Sequence, residues 1–391
     1  MAKYVLIPDS FKGTLSSEDI CRIASEEILR LEPEAEICAI PVADGGEGTV
    51  DAFLAAVGGT RAEVPCTGPC GQEVMGFYGL LPDGTAVVEM AAAAGLPLAG
   101  ACRDPEKTTT YGVGQLMAHA LSRGAKRLVL GLGGSATNDG GCGAAAALGA
   151  EFLDAEGRAF VPTGGTLTQI AHIRMEGLRE TLAGAEVTVM CDIDNPLCGP
   201  AGAAAVFGPQ KGADAAMVAR MDAGLRHLAE MLEKDVGMEV LTLAGGGSAG
   251  GFGAGAAAFF GGQLRMGIDV VLDLTDFDRK CRGASLVITG EGHLDSQSLR
   301  GKTVVGVARR ARALGVPEAA LVGGCETALD AVYAEGVSGV FPIHPALCTW
   351  PQAAVRTEED LRFTMGNLLR FKNGRPHRSL PFSYMAPNVI R

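Results

Sequence analysis

Short apolar runs alternate with amphipathic segments at both ends of the 391-residue chain. Each apolar run is too short for a helix and leads into a polar loop, which is typical of a buried strand. Five such runs occur, at residues 4–7, 37–42, 286–289, 319–322 and 340–343. Helical patterns separate them, and the first begins where Ser16 or Ser17 can act as N-cap. The alternation predicts five parallel strands, two from one end of the chain and three from the other.

The middle of the chain has a different rhythm. Segments at 61–66, 74–81 and 85–90 alternate apolar and polar residues and are joined by tight turns, which predicts an antiparallel meander. Beyond the meander, the pattern predicts a strand at 186–190 and helices at 110–122 and 217–236. A change of rhythm of this kind indicates a second domain.

We therefore expect an α/β fold with two domains, since the chain is longer than one ordinary domain. Residues 1–60 and 281–391 would form a discontinuous, five-stranded parallel domain of the doubly wound, flavodoxin/Rossmann-like type. Residues 61–280 would form a large inserted mixed α/β domain. The proline-bearing, basic segment 372–391 is expected to be a loose tail.

The most informative stretch, residues 127–150, has the pattern of a strand, a glycine loop and the start of a helix. Bare backbone N–H groups and the helix dipole at such a junction bind phosphate. The loop at 133–141 offers candidate nucleotide contacts at Gly133, Gly134, Ser135, Thr137 and Asn138. The carboxylate of Asp139 in the same loop is a candidate metal ligand, or else only a cap of the following helix.

Other interpretations of glycine-rich segments stay open. Gly131 begins a match to G-x-G-x-x-A, the dinucleotide fingerprint, and Asp154 lies roughly where a ribose-binding acid would follow. The loop could also be a tight turn and nothing more. The segment 301–303 looks like the end of a P-loop, but position 296 is serine where that motif needs glycine.

Composition narrows the class of protein. A net charge of −12 argues against a nucleic-acid partner, and the lack of an 18-residue apolar run argues against a membrane span. The 11 cysteines are scattered without a C-x-x-C pair, which favours reduced thiols over a disulfide framework or a metal cluster. We expect a cytoplasmic protein with a small-molecule substrate, and a homo-oligomer stays open.

Polar loops after the other predicted strands supply further candidates. Lys12 suits a phosphate or a substrate carboxylate, and Lys211 between its glycines suits a phosphate; either could instead be a solvated loop lysine. Asp192 ends a strand among apolar neighbours, which favours a raised pKa and a general base, with an N-cap or Asx-turn as the alternative. Asp295 could bind Mg²⁺ or a substrate hydroxyl, or only cap a helix.

Taken together, these loops resemble the motifs of the bacterial glycerate kinase family, type I. The matching segments are PDSFKG (8–13), ADGGEGT (43–49), GGSATNDGG (133–141), CDIDNPLCG (191–199), FGPQKG (207–212) and TGEGHLDSQS (289–298). They stand in the family's order, and the resemblance extends from Pro8 to about Phe371. It implies transfer of the ATP γ-phosphoryl group to glycerate with Mg²⁺, in the cleft of a two-domain α/β fold. It favours 2-phosphoglycerate as the product.

The resemblance and the residue types together give each loop a role. Asp192 would accept the proton of the attacking hydroxyl, with Lys12 and Asp295 completing the catalytic set. Lys211 would join the glycine loop in binding ATP, and Glu47 would join Asp139 as a metal ligand. The predicted substrate contacts are Ser10, Asp44, Arg103, Gln297 and Ser298, whereas His293 is predicted to be a turn residue.

Two functions of other kinds fit weaker signals. An NAD-linked hydroxy-acid oxidoreductase would use the fingerprint at Gly131, but it would need a hydride-transfer acid, and no histidine lies in a motif. A non-catalytic protein that binds hydroxy-acids or nucleotides would need an output module, and the sequence carries no recognisable one.

Overall fold

The computed structural model describes residues 1–43, 45–296, 298–326, 329–346 and 349–374. The predicted substrate contacts Asp44 and Gln297 lie outside these ranges, as does most of the predicted tail. The strands are β1 (Lys3–Pro8), β2 (Glu36–Ala39), β3 (Thr60–Thr67), β4 (Glu73–Leu80), β5 (Thr85–Glu89), β6 (Arg127–Gly131), β7 (Glu151–Leu153), β8 (Ala159–Phe160), β9 (His172–Arg174), β10 (Glu186–Met190), β11 (Gln263–Arg265), β12 (Leu286–Leu294), β13 (Glu318–Cys325) and β14 (Gly339–Pro342).

Helices connect most of these strands. They are α1 (Ser17–Leu31), α2 (Thr49–Val57), α3 (Ala91–Ala94), α4 (Leu96–Ala99), α5 (Tyr111–Ser122), α6 (Cys142–Ala147), α7 (Glu176–Leu182), α8 (Ala203–Phe207), α9 (Ala215–Met231), α10 (Ser248–Phe260), α11 (Gly267–Leu274), α12 (Phe277–Cys281), α13 (Thr303–Ala313), α14 (Asp330–Ala334) and α15 (Trp350–Lys372). Ser16 caps α1, where its hydroxyl accepts a hydrogen bond from the Asp19 amide, as the sequence predicts. No helix in the described ranges is both long and apolar enough to cross a membrane.

The first sheet has the strand order β14-β13-β12-β1-β2, and every pair in it is parallel. The prediction of five parallel strands drawn from both ends of the chain is confirmed. Alternate residues of β1 face opposite sides, so Tyr4 and Leu6 pack against α1 and α15. Val5 and Ile7 pack on the other side, against α11, α12 and α13.

The second sheet has the order β11-β10-β6-β5-β4-β3. The pairs β3–β4 and β4–β5 are antiparallel, which confirms the predicted meander, and β5, β6, β10 and β11 run parallel. A small antiparallel sheet, β8-β7-β9, forms a separate hydrogen-bonded unit.

The two large sheets share one hydrophobic cluster. Val5 and Ile7 of β1 belong to the same buried cluster as Val129 of β6 and Met190 of β10. Helix α11 lies within the predicted inserted segment 61–280, and α12 lies at its end. Both helices also join this cluster and pack near α13. The division of the chain at about 60 and 280 therefore stays a prediction.

Some predicted strand boundaries differ from the structure, and the largest difference is at β12. The segment 290–294, predicted as a loop, is the second half of β12, because Glu291 and His293 pair in register with Val322 and Gly324 of β13. Helix α15 begins at Trp350. Its start carries a capping box from Thr349 and a proline in the first turn, where a helix tolerates it.

Glu318 is an unusual member of the first sheet. It is buried at the start of β13, and neither carboxylate oxygen has a hydrogen-bond partner in the described part of the chain. Burial raises the pKa of this carboxyl well above its ordinary value of 4.5. At pH values between the ordinary pKa and the raised one, the carboxyl is protonated in the folded protein and loses its proton on unfolding. The free energy of unfolding therefore falls as pH rises, by up to about 1.4 kcal/mol per pH unit.

We expect Glu318→Gln to be more stable than the wild type at pH 8 and close to it at pH 5, because glutamine cannot ionise. Urea denaturation at both pH values measures this difference. Glu73→Gln is the control, since Glu73 is exposed on β4. An equal change in the free energy of unfolding at pH 5 and pH 8 would contradict the assignment.

Candidate active site

A cavity of about 960 Å³ lies where the carboxyl ends of the two large sheets meet. From the first sheet it is lined by the loop after β1, the second half of β12 and the end of β13. From the second sheet it is lined by residues 132–135, after β6, and residues 190–195, after β10. Ligands of parallel α/β sheets bind beyond the carboxyl ends of the strands, so this cavity is the candidate site.

The glycine loop after β6 is fixed by close backbone contact. The Gly133 N–H donates to the Gly45 carbonyl at 2.8 Å, and a Cβ at Gly133 would clash with Gly46. Gly134 has φ 74°, a left-handed conformation that favours glycine. Gly133, Gly134 and Ser135 line the cavity, as the sequence predicts.

Thr137 and Asn138 take a different position from the one predicted. Both are fully buried, and neither is among the residues that line the cavity. The Thr137 hydroxyl and the Asn138 amide group have no side-chain hydrogen-bond partner in the described ranges. The last part of the loop is thus turned into the interior, where it packs against Gly250.

Lys211 is the buried cation of the cavity. It is 2 % exposed, and its Nζ donates to the Ser135 hydroxyl at 2.9 Å and to the Thr137 carbonyl at 2.6 Å. Burial lowers the pKa of Lys211 to about 7, and the nearby Asp139 partly opposes that fall. Lys211 therefore touches the glycine loop directly and changes its charge near neutral pH.

Asp139 and Glu47, the predicted metal ligands, do not line the cavity. Asp139 is fully buried and accepts hydrogen bonds from the Thr110 amide and hydroxyl, both at 2.8 Å, and from the Gly141 and Gly143 amides. Burial raises the pKa of Asp139 in spite of these bonds. Asp139 thus bonds to amides at the start of α6, close to its alternative role at that helix, although the N-cap residue is Gly141. Glu47 is exposed.

Asp192 lines the cavity and is half-buried. Its Oδ1 accepts a hydrogen bond from the amide of Gly267, the first residue of α11, at 2.7 Å. Met190 and Cys191 beside it are buried, whereas Ile193 is exposed. The bond orients the carboxylate as a general base would need, and it is also the bond that an N-cap makes.

Asp295 lies in a tight turn and is not among the lining residues. Its Oδ1 accepts from the Ser298 amide, and its own amide donates to the Ser298 hydroxyl, both at 3.3 Å. Ser298 is buried behind the cavity wall. The capping alternative therefore accounts for the described contacts of Asp295.

Of the remaining predicted contacts, some line the cavity and one does not. Lys12 and Ser10 line the cavity from the loop after β1. Arg103 is exposed and is not a lining residue, although its carbonyl lies where a Cβ of Gly212 would clash.

Sequence reasoning missed several ionisable side chains that line the cavity, including Asp9, Asp194, Glu291, His293, Arg300 and Lys302. Arg300 forms an ion pair with Asp194 at 2.9 Å, which joins the loops after β12 and β10. His293 was predicted to be a turn residue, but it lies on β12. The available signal was the TGEG motif at the end of a strand, where an acidic residue stands between two glycines.

The dinucleotide alternative gains no support from this arrangement. Asp154 lies in the β7–β8 hairpin, where it bonds to Arg158, and β7 is not a neighbour of β6. Within the described ranges, no cluster of three or more His, Cys, Asp or Glu side chains could hold a metal ion alone. The site instead combines cations, a glycine loop and separate carboxylates, which suits a phosphorylated ligand.

Comparison with known proteins supports the same conclusion. Residues 4–373 match the model of the Glycerate kinase family. A glycerate kinase of Bacillus subtilis (strain 168) is 45% identical over 345 residues, covering 88% of this chain and 90% of that protein. A glycerate 2-kinase of Escherichia coli (strain K12) is 41% identical over 353 residues, covering 90% and 93%.

A crystal structure from Salmonella typhimurium LT2 shares the fold. It superposes with a TM-score of 0.84 at 42% identity, covering 95% of this chain and 99% of that one. The match therefore extends over nearly the whole length of both chains. The chain belongs to the glycerate kinase family.

Proposed function

We propose that this chain transfers the γ-phosphoryl group of ATP to glycerate with Mg²⁺, and that the product is 2-phosphoglycerate. The observation that carries the proposal is Lys211, a buried cation bonded to the glycine loop at the carboxyl ends of two sheets. Phosphoryl transfer depends on positioned cations and on a group that receives the proton of the attacking hydroxyl. Membership of the family supplies the acceptor, glycerate.

The phosphates would lie against the loop after β6. The backbone N–H of Gly134, with Ser135 and Lys211, would hold them. Lys12, across the cavity on the first sheet, would bind the carboxylate of glycerate or the transferred phosphoryl group. We assign Thr137 and Asn138 to supporting this loop from inside.

Mg²⁺ would reach the site with the nucleotide. This ion usually keeps several water ligands and is also bound by one or two carboxylates and by phosphate oxygens. A cluster of three or more protein ligands is therefore not required. Asp194 would supply such a carboxylate, because it lines the cavity after β10, the strand that pairs with β6. The bound ion would neutralise charge on the phosphates.

Asp192 is our choice for the group that accepts the hydroxyl proton. It lines the cavity, and the Gly267 amide fixes its carboxylate. Asp295, the rival, is held in its turn by Ser298 and lies outside the lining. We therefore propose that Asp295 acts by shaping the turn that follows β12.

The reaction itself gives the first test. Purified protein with ATP, Mg²⁺ and glycerate should yield a phosphate ester whose phosphorus NMR signal identifies the C2 position. Excess EDTA should abolish product formation, because charge on the phosphates would no longer be neutralised. Full activity in EDTA would contradict the requirement for a metal ion. An ester at C3 would contradict the assignment of the C2 hydroxyl as the phosphoryl acceptor.

Lys211→Met should weaken ATP binding by about 10- to 100-fold, the usual effect of losing a hydrogen bond to a charged group. Because the pKa of Lys211 is about 7, the free protein is mostly uncharged at this position at pH 8. Bound phosphate favours the charged form, so wild-type ATP binding at pH 8 should take up a proton, and affinity should fall as pH rises above 7.

Titration calorimetry in two buffers of different ionisation enthalpy measures that uptake. Lys107→Met is the control, since Lys107 is exposed. If Lys211→Met binds ATP as tightly as the wild type, or takes up as many protons on binding, then Lys211 has a structural role and does not bind the phosphates.

Asp192→Asn should lower kcat by about 10² to 10⁴, the usual range for losing general acid–base help, and leave ATP affinity nearly unchanged. Asp295→Asn is the comparison, and a smaller loss of kcat is expected. Steady-state kinetics and calorimetry on both variants decide between them. If Asp295→Asn loses the activity and Asp192→Asn keeps it, the two roles are reversed.

A further inference from the structure

Glu291 is the most deeply buried of the described acidic side chains that line the cavity. It is 8 % exposed and lies on β12 beyond the point where the sequence predicts the strand to end. Its Oε1 is closed to solvent and has no hydrogen-bond partner in the described part of the chain. A buried oxygen in this state is costly unless a ligand or a water bonds to it.

The groups that face Glu291 come from two loops. Ser298 bonds to the carboxyl group, Lys302 and Asp295 lie near it after β12, and Asp9 lies near it after β1. The Asp9 amide donates to the Gly290 carbonyl at 2.8 Å, which holds the loop after β1 against β12. Two carboxyl groups and one lysine surround the carboxyl group of Glu291, so an anionic group of a ligand would bind poorly at this position.

A neutral hydroxyl satisfies this position in either charge state. Burial raises the pKa of Glu291 to about 7, with Asp9 and Asp295 adding to the rise and Ser298 and Lys302 opposing it. Near neutral pH both forms of the side chain are therefore present. A hydroxyl can donate to the carboxylate and can accept from the protonated carboxyl, whereas a phosphate or carboxylate ligand would be repelled by the charged form.

We propose that Glu291 binds the hydroxyl of glycerate that is not phosphorylated, and so selects a dihydroxy acid over a monohydroxy acid. This inference rests on the proposed function, in which one hydroxyl reacts and the other is free for recognition. With transfer to C2, the hydroxyl at Glu291 is the one on C3. Sites built to bond a hydroxyl reject analogues that lack it, because their own polar group is left unpaired.

The test compares binding of three acids by titration calorimetry, without nucleotide. Lactate lacks the C3 hydroxyl of glycerate, and 3-hydroxypropanoate lacks the C2 hydroxyl. The wild type should bind glycerate at least about 100-fold more tightly than lactate. Glu291→Met has a similar volume and no acceptor, so its preference for glycerate over lactate should fall below about tenfold. Glu291→Gln should keep part of the preference, because its amide can still bond a hydroxyl.

Glu318→Gln is a matched control. Glu318 is also a buried acid of the same sheet, it has no hydrogen-bond partner among the described residues, and it is not a lining residue. This variant should keep the wild-type preference. Thermal unfolding establishes that each variant is folded, and Glu291→Ala replaces Glu291→Met if the latter is not.

The possible results distinguish the role of Glu291 from the proposed reaction. An unchanged preference in Glu291→Met, an equal loss of affinity for glycerate and lactate, or a preference lost only against 3-hydroxypropanoate would each overturn the role of Glu291. A wild type that binds glycerate selectively, through Glu291, without phosphorylating it would support this recognition and overturn the proposed reaction. A wild type that does not bind glycerate would overturn both.

Discussion

The cleft depends on the close backbone contact between the loop after β6 and the loop after β2. Gly133 bonds to Gly45 there, and a Cβ at Gly131 would lie only 2.6 Å from the Gly45 carbonyl oxygen. β2 is an edge strand of the first sheet, whereas β6 lies inside the second. The contact therefore brings the carboxyl ends of both sheets to one cavity. Glycine is needed here for the assembly of the two sheets as well as for access to a phosphate.

Burial of ionisable groups sets the electrostatics of this cavity. Burial removes water from the side chains of Lys211 and of Glu291, which lies on β12. It lowers the pKa of Lys211 to about 7 and raises the pKa of Glu291 to about 7. Each is thus only partly charged before a ligand arrives, although the chain carries a net charge of −12. On the proposals made above, ligand binding would complete their hydrogen bonds and fix their charge, which would link recognition to proton movement.

The sequence predicts those parts of the fold that depend on local pattern. The five parallel strands and the antiparallel meander follow from the spacing of apolar residues, and the structure has both. The second half of β12 could not be predicted in this way, because its glycines and charged residues form a strand only through pairing with β13. Pairing between distant segments leaves no local signal.

The site shows the same limit. Ser135 and Asp192 could be placed at the cavity, since each follows a strand and strands of this kind meet at their carboxyl ends. The inward turn of Thr137 and Asn138 could not, because it depends on packing against a segment more than a hundred residues away. For the same reason the sequence did not distinguish Lys211 in contact with Ser135 from a solvated lysine.

The ion pair between Arg300 and Asp194 has a consequence for the motion of the cleft. It connects the two sheets at the cavity, yet both side chains are more than half exposed, at 61% and 67%. An exposed pair of this kind contributes at most about 1 kcal/mol, which is comparable with thermal energy. The pair can therefore break and re-form spontaneously, and salt at physiological concentration screens it further. This contact therefore presents little barrier to opening of the cavity, while the backbone hydrogen bond from Gly133 to Gly45 holds the two sheets together.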